Sequence, residues 1–190
     1  MEKRFFRLDT DVYVVGRWHL GELASHSGQE LEDVWQFSRG RPVVFREQLF
    51  VSVERPGRPL DFDTAGVGQV PVVNAPVASV FRELASNDVQ LFPINVEGQT
   101  EPYFLVNVAR TVRCIDDKAS SEVQIYREED GRPDRVGQYR SVIGLRIDKS
   151  KVGDARVFRL WGWFPPVIID GELKAALEEI GGVGGHFDEV

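Results

Sequence analysis

The sequence predicts an α+β fold, mainly antiparallel sheet with two or three short helices. Three observations carry that prediction. Short runs of alternating apolar residues recur along the chain, and these strand segments outnumber helical ones by about three to one. A strand–helix–strand pattern is written twice. Its first copy is Val72-Val73-Asn74, then Val77, Val80, Phe81 and Leu84, then apolar residues over 89–92. Its second is Ile168-Ile169-Asp170, then Leu173, Ala176, Leu177 and Ile180, then residues 187–190. In each, Asn or Asp is a helix N-cap, and the apolar spacing i, i+3, i+4, i+7 lines one helix face. Finally, 42% apolar and 28% charged residues is the balance of an ordinary folded soluble protein.

The elements follow in order. Residues 5–15 read as an opening strand or strand pair, with Val12 and Val14 on one face and Tyr13 and Val15 on the other, closed by Gly16. Ser27-Gly28-Gln29-Glu30 has capping-box spacing, and Leu31, Val34 and Trp35 continue at helical spacing, which predicts a helix over about 29–37. Residues 43–53 are strand-like, turning near Arg46 and Glu47, and 56–68 is a glycine- and proline-rich loop. The first strand–helix–strand module follows; Pro76 is tolerated because it falls in the first helical turn. Residues 103–115 form the best strand, with Phe104, Val106, Val108, Val112 and Cys114 on one face and Arg110 as its exception. Val123, Ile125 and Tyr126 read as its neighbour, and the charged stretch 128–137 as an exposed loop. Ile143, Leu145 and Ile147 give another strand, 157–161 another, and the second module closes the chain with glycines 181–185 at its helix exit.

A chain of 190 residues is read as a single domain over 1–190, with two lobes (about 1–115 and 116–190) sharing a core as the alternative. It is long enough to bury roughly 70% of its unfolded surface without staples. The net charge of −7 argues against generic nucleic-acid binding, which needs a basic face. Cys114 is the only cysteine, so no internal disulfide forms. No apolar run has the length of a signal peptide core or a membrane span, and the expected location is the cytoplasm.

Catalytic chemistry finds no constellation to use. His19, His26 and His186 lack the converging ligands that a metal site needs, and Cys114 lies in an apolar alternation that buries and silences a thiol. Asp61 and Asp63 flank Phe62; on a strand both would point the same way, as a shared cation or acid–base pair requires. Without a histidine or further ligands they read as solvated loop acids. The 181–185 glycines lack the lysine of a phosphate loop. No cofactor is expected. Gly-Arg-Pro occurs three times, at Arg41, Arg58 and Arg132, as plain turns or as arginines held out to a carboxylate or other anion. Trp18, Trp35, Trp161 and Trp163 divide between core packing and interface anchoring.

Read as phrases, the chain resembles a bacterial family of immunity proteins against polymorphic toxins. The likeness rests on Gly16-Arg17-Trp18-His19-Leu20, Gly28-Gln29-Glu30 with Trp35-Gln36-Phe37, and Gly57-Arg58-Pro59-Leu60-Asp61-Phe62. It continues through Glu101-Pro102-Tyr103-Phe104, Gly131-Arg132-Pro133-Asp134, Val136-Gly137-Gln138-Tyr139-Arg140-Ser141 and the closing helix module. The resemblance implies an intracellular antidote, not an enzyme, that binds a cognate toxin encoded beside it in a stoichiometric complex. It brings no catalytic residue. The candidate partner-binding residues are Trp18, Arg58, Asp61, Asp63 and Trp163. Two other classes compete: a small-ligand binder or enzyme with a pocket beside Trp161 and Trp163, and a structural homo-oligomer joined through an edge strand.

Overall fold

The computed structural model describes residues 3–25 and 28–190. Its strands are β1 (Phe5–Thr10), β2 (His19–Ser25), β3 (Leu49–Arg55), β4 (Phe62–Ala65), β5 (Val70–Asn74), β6 (Val89–Val96) and β7 (Tyr103–Val108). These continue with β8 (Thr111–Val112), β9 (Glu122–Ile125), β10 (Tyr139–Ile143), β11 (Val157–Leu160), β12 (Trp163–Asp170) and β13 (Gly185–Glu189). The α-helices are α1 (Ala75–Leu84) and α2 (Gly171–Glu179). The class is α+β. Strands order as β2-β3-β6-β7-β5-β4 in one sheet, β13-β1-β12-β11-β8 in a second, and β9-β10 form a separate pair. The sheets are mixed: β3–β6 and β8–β11 pair in parallel, whereas β1 runs antiparallel to both its neighbours.

Both helices begin where the caps predict. Asn74 accepts from the Val77 N–H at 3.1 Å and Asp170 from the Leu173 N–H at 2.8 Å, each satisfying a donor that the first helical turn leaves open. The apolar faces of α1 and α2 meet one core cluster that also takes Phe6 and Leu8 from β1, Val106 and Val108 from β7, and Val167 and Ile169 from β12. Strand alternation sends the intervening residues to the opposite faces. Leu105, Val72 and Val70 join Trp18 and Phe37 in a second cluster, while Phe5, Phe158 and Ile168 join Cys114 in a third. Burial pushes the Cys114 thiol up to about 12, which makes it inert.

Several expectations fail, each for a local reason. No helix forms over 29–37: among the described residues there is only a 3-10 turn at Gln36–Ser38. Asp33 instead accepts from the Trp35 N–H at 3.1 Å and pairs with Arg39, and such local bonding competes with a helix. Ser27 of the expected capping box, like His26, lies outside the described residues. Of residues 43–53, only those from Leu49 on are strand. The long strand 103–115 breaks at residues 109–110, so that β7 and β8 belong to different sheets. Arg110 marks the crossing, held by Asp88 at 2.8 Å and Asp154 at 2.5 Å. Residues 122–125 pair with β10 and not with the long strand. Leu145 and Ile147 fill the third cluster from beyond the end of β10. The opening strand stops at Thr10.

Candidate functional site

Where β1 and β13 of one sheet approach β2 and β4 of the other, a cleft of about 530 Å³ opens. Arg7, Asp9 and Thr10 come from β1, Asp63 and Thr64 from β4, and His19 and His186 from the facing edges. Residues 11–16 overhang it as a loop. Strand alternation does not continue there because the Asp11 carboxylate accepts from the Tyr13 N–H at 2.9 Å, a local turn. The loop is pinned at both ends. The Asp11 N–H donates to the Gly184 carbonyl at 2.6 Å, and the Gly16 carbonyl accepts from the Arg58 N–H at 2.7 Å. Gly57 permits this closeness, since a Cβ there would lie 2.5 Å from the Arg17 backbone. Val14 packs inward on the second cluster. Val12, Tyr13 and Val15 point out, exposed by 63%, 83% and 93%. They form an exposed apolar patch on a loop held at both ends.

Asp63 organises the cleft from beneath. Its carboxylate accepts from Thr10 Oγ1 at 2.9 Å and from the Thr64 N–H at 2.8 Å, and it faces Arg17 at 3.6 Å. Burial pushes its carboxyl above the usual range; the Thr64 and Thr10 bonds, the Arg17 charge and the Trp18 indole act against that rise. The indole nitrogen falls short of strict hydrogen-bond geometry. One carboxylate thus joins the strand before the loop, the chain after it, and β4. Arg7 and Asp9 pair at 2.5 Å along the same wall. Gln69, also in the lining, holds φ at +46°, among the described residues the one non-glycine in left-handed backbone.

The sequence-derived candidates divide. Trp18 is 1% exposed, packed against Tyr103 in the core with ring centroids 5.6 Å apart and planes tilted by 51°, and acts on the surface only by supporting the loop that precedes it. Arg58 is exposed and clamps that loop through its backbone. Asp61 and Asp63 engage separate partners: Asp61 accepts from Asn74 Nδ2 and the Val183 N–H, each at 2.6 Å. They form no shared cation site, and no cluster with metal-ligand composition occurs among the described residues. Trp163 packs against the third cluster, away from the cleft lining. Sequence reading missed Tyr13, Val12 and Val15 because their alternation looks like strand; Asp11, an Asx-turn former, was the signal that the strand ends.

The chain belongs to the Immunity protein family (Imm11), whose family model matches residues 45–190. No curated protein sequence matches it. No described helix is long and apolar enough to cross a membrane.

Proposed function

We propose that this chain is a cytoplasmic antidote that neutralises a cognate polymorphic toxin, the product of an adjacent gene, by stoichiometric binding and without catalysis. Family membership supports the class of function, and the exposed trio Val12, Tyr13 and Val15 on its pinned loop carries the mode of action. An anchored loop loses little entropy on docking, so more of its contact energy appears as affinity. A tyrosine surrounded by aliphatic groups is a common binding hot spot.

Co-expression with the neighbouring gene product tests this. The expected outcome is cell survival and a one-to-one complex for the wild type. Tyr13→Ala should keep the fold yet weaken the complex by about tenfold or more. A toxic neighbour that is neither bound nor neutralised by folded wild-type chain sinks the proposal. A second reading, a small polar ligand in the cleft, is favoured by buried Asp63 and by the left-handed backbone at Gln69. Ligand-dependent protection of folded wild type, lost in Gln69→Gly, would promote it. Self-association removed by Tyr13→Ala would instead assign the loop to a homo-oligomer.

A further inference from the structure

A second concavity, about 550 Å³, lies on a different part of the surface and is unused by the reading above. Trp35, Val67, Phe164 and Pro165 give it apolar walls. Its charged lining is Arg39, Arg132 and Arg135 against one carboxylate, Asp134. Arg132 belongs to the third Gly-Arg-Pro turn, and Arg39 immediately precedes the first. Just outside, Asp33 pairs with Arg39, and the Glu22 carboxylate accepts from the Val67 N–H at 3.2 Å. Arg132 donates through Nε and Nη2 to the two oxygens of Asp134, each at 3.3 Å, with both side chains more than half exposed, so an incoming carboxylate would compete with Asp134 for it. Arg135 stacks over the Tyr126 ring at 4.8 Å and has no carboxylate partner among the described residues. Trp35 and Val67 are 47% and 52% exposed, an apolar rim that no element of the chain covers.

Behind the wall sits an independent anomaly. Arg159 is fully buried and has no ion-pair partner among the described residues. Its Nη1 donates to the carbonyls of Phe164 at 2.9 Å and Pro165 at 2.7 Å, the residues that form the groove wall. Its Nε and Nη2 have no hydrogen-bond partner. Burial lowers its guanidinium to about 10, still charged at neutral pH. An uncompensated buried cation is destabilising, and an anion held nearby offsets part of that cost. Arg39 is paired with Asp33 and Arg132 with Asp134, so Arg135, with Arg159 buried behind the wall, is the positive charge here left without a carboxylate among the described residues.

We propose that this groove receives an acidic, apolar-anchored segment of the partner protein, its carboxylates against Arg132 and Arg135 and its apolar side chain between Trp35 and Pro165. Planar guanidinium groups grip carboxylates in two-point contacts, and the aromatic wall supplies the anchor. The inference rests on the reading of the chain as a partner-binding protein, and it makes the partner bivalent: an apolar contact at the 11–16 loop and an acidic one here.

The test needs no toxin. Purified full chain is titrated at low salt with the peptide acetyl-Asp-Phe-Asp-Leu-Asp-amide, following Trp35 emission, with Trp35→Phe as the baseline. Matched peptides with Asn or Lys in place of Asp, and a single-stranded oligonucleotide of equal charge, serve as comparators. The acidic peptide should bind at least about tenfold more tightly than either matched peptide, and should weaken as salt screens the contact. The double variant Arg132→Glu/Arg135→Glu, on exposed side chains, should unfold at the wild-type temperature and lose that preference. Equal binding of all three peptides, or unchanged preference in the double variant, overturns the proposal. Tighter binding of the oligonucleotide overturns it in favour of a phosphate ligand. Failed toxin rescue with the peptide preference intact would sink neutralisation alone.

Discussion

The two strand–helix–strand segments share a layout and differ in what holds them. β5 and β6 flank β7, and β12 and β13 flank β1, each with its helix crossing to the same core cluster. Helix α1 buries Val77, Ala78, Val80 and Phe81, whereas α2 buries only Leu173 and Leu177. The second segment adds charge where the first has apolar area. Arg156 spans Asp170 at 3.7 Å and Glu172 at 2.6 Å, and Lys174 reaches Glu178 at 2.5 Å. Similar topology is thus reached once through burial and once through burial plus surface ion pairs. The first route is the stronger, because exposed pairs contribute little.

Core truncation should separate the segments most. Phe81→Ala is expected to cost about 3–5 kcal/mol and Leu177→Ala about 2 kcal/mol, since Phe81 is fully buried and Leu177 retains slight exposure. Urea unfolding measures both; equal losses would mean that the two helices contribute alike. The caps come next. Asn74→Ala and Asp170→Ala should each cost about 1 kcal/mol, since each cap also has a second partner, Asp61 at 2.6 Å from Asn74 Nδ2 and Arg156 at 3.7 Å from Asp170. Smallest is Lys174→Ala, expected at about 0.3–0.5 kcal/mol from the lost ion pair. It should lose somewhat more if the ammonium contacts at 5.2 Å to Phe6 and 5.3 Å to Phe187 matter. High salt should erase the ion-pair part and spare the rest.

The cleft beneath the 11–16 loop gives a pH signature. A carboxyl raised by burial binds its proton more tightly folded than unfolded. Asp63 therefore contributes its stabilisation below the unfolded value near 3.8 and loses it as pH rises through the higher folded value. The stability of wild type relative to Asp63→Asn should be greatest near that acid limit and decline towards neutrality. Chemical denaturation across that range reads it directly, and a difference that grows with pH would show that Arg17 outweighs desolvation.

Sequence reading reached furthest where one residue type has one local use. Asn74 and Asp170 located both helices because cap geometry depends on the next three residues alone. It failed where distant groups decide. The alternation through Arg110 concealed a crossing between sheets, set by Asp88 and Asp154. Trp18 and Asp63 could be picked out as unusual, but burial and mutual contact depend on β1 and β4 meeting. The cleft is assembled from β1, β2, β4 and β13, so no contiguous motif announces it.

The placement of β1 also orders events on the ribosome. The six-stranded sheet uses β2 to β7, all within residues 19–108, and its partners emerge in near succession. Strand β1 emerges before them but pairs only with β12 and β13, which follow that sheet along the chain. Phe5, Phe6 and Leu8 must wait uncovered through most of synthesis, the period when an unpaired apolar strand is open to aggregation and to chaperones. Because the 11–16 loop hangs from β1 and is fastened to Gly184, the surface that would meet a toxin takes shape only once the chain around β13 arrives. A ribosome stalled late in the message yields the six-stranded sheet without the strand that fastens the loop.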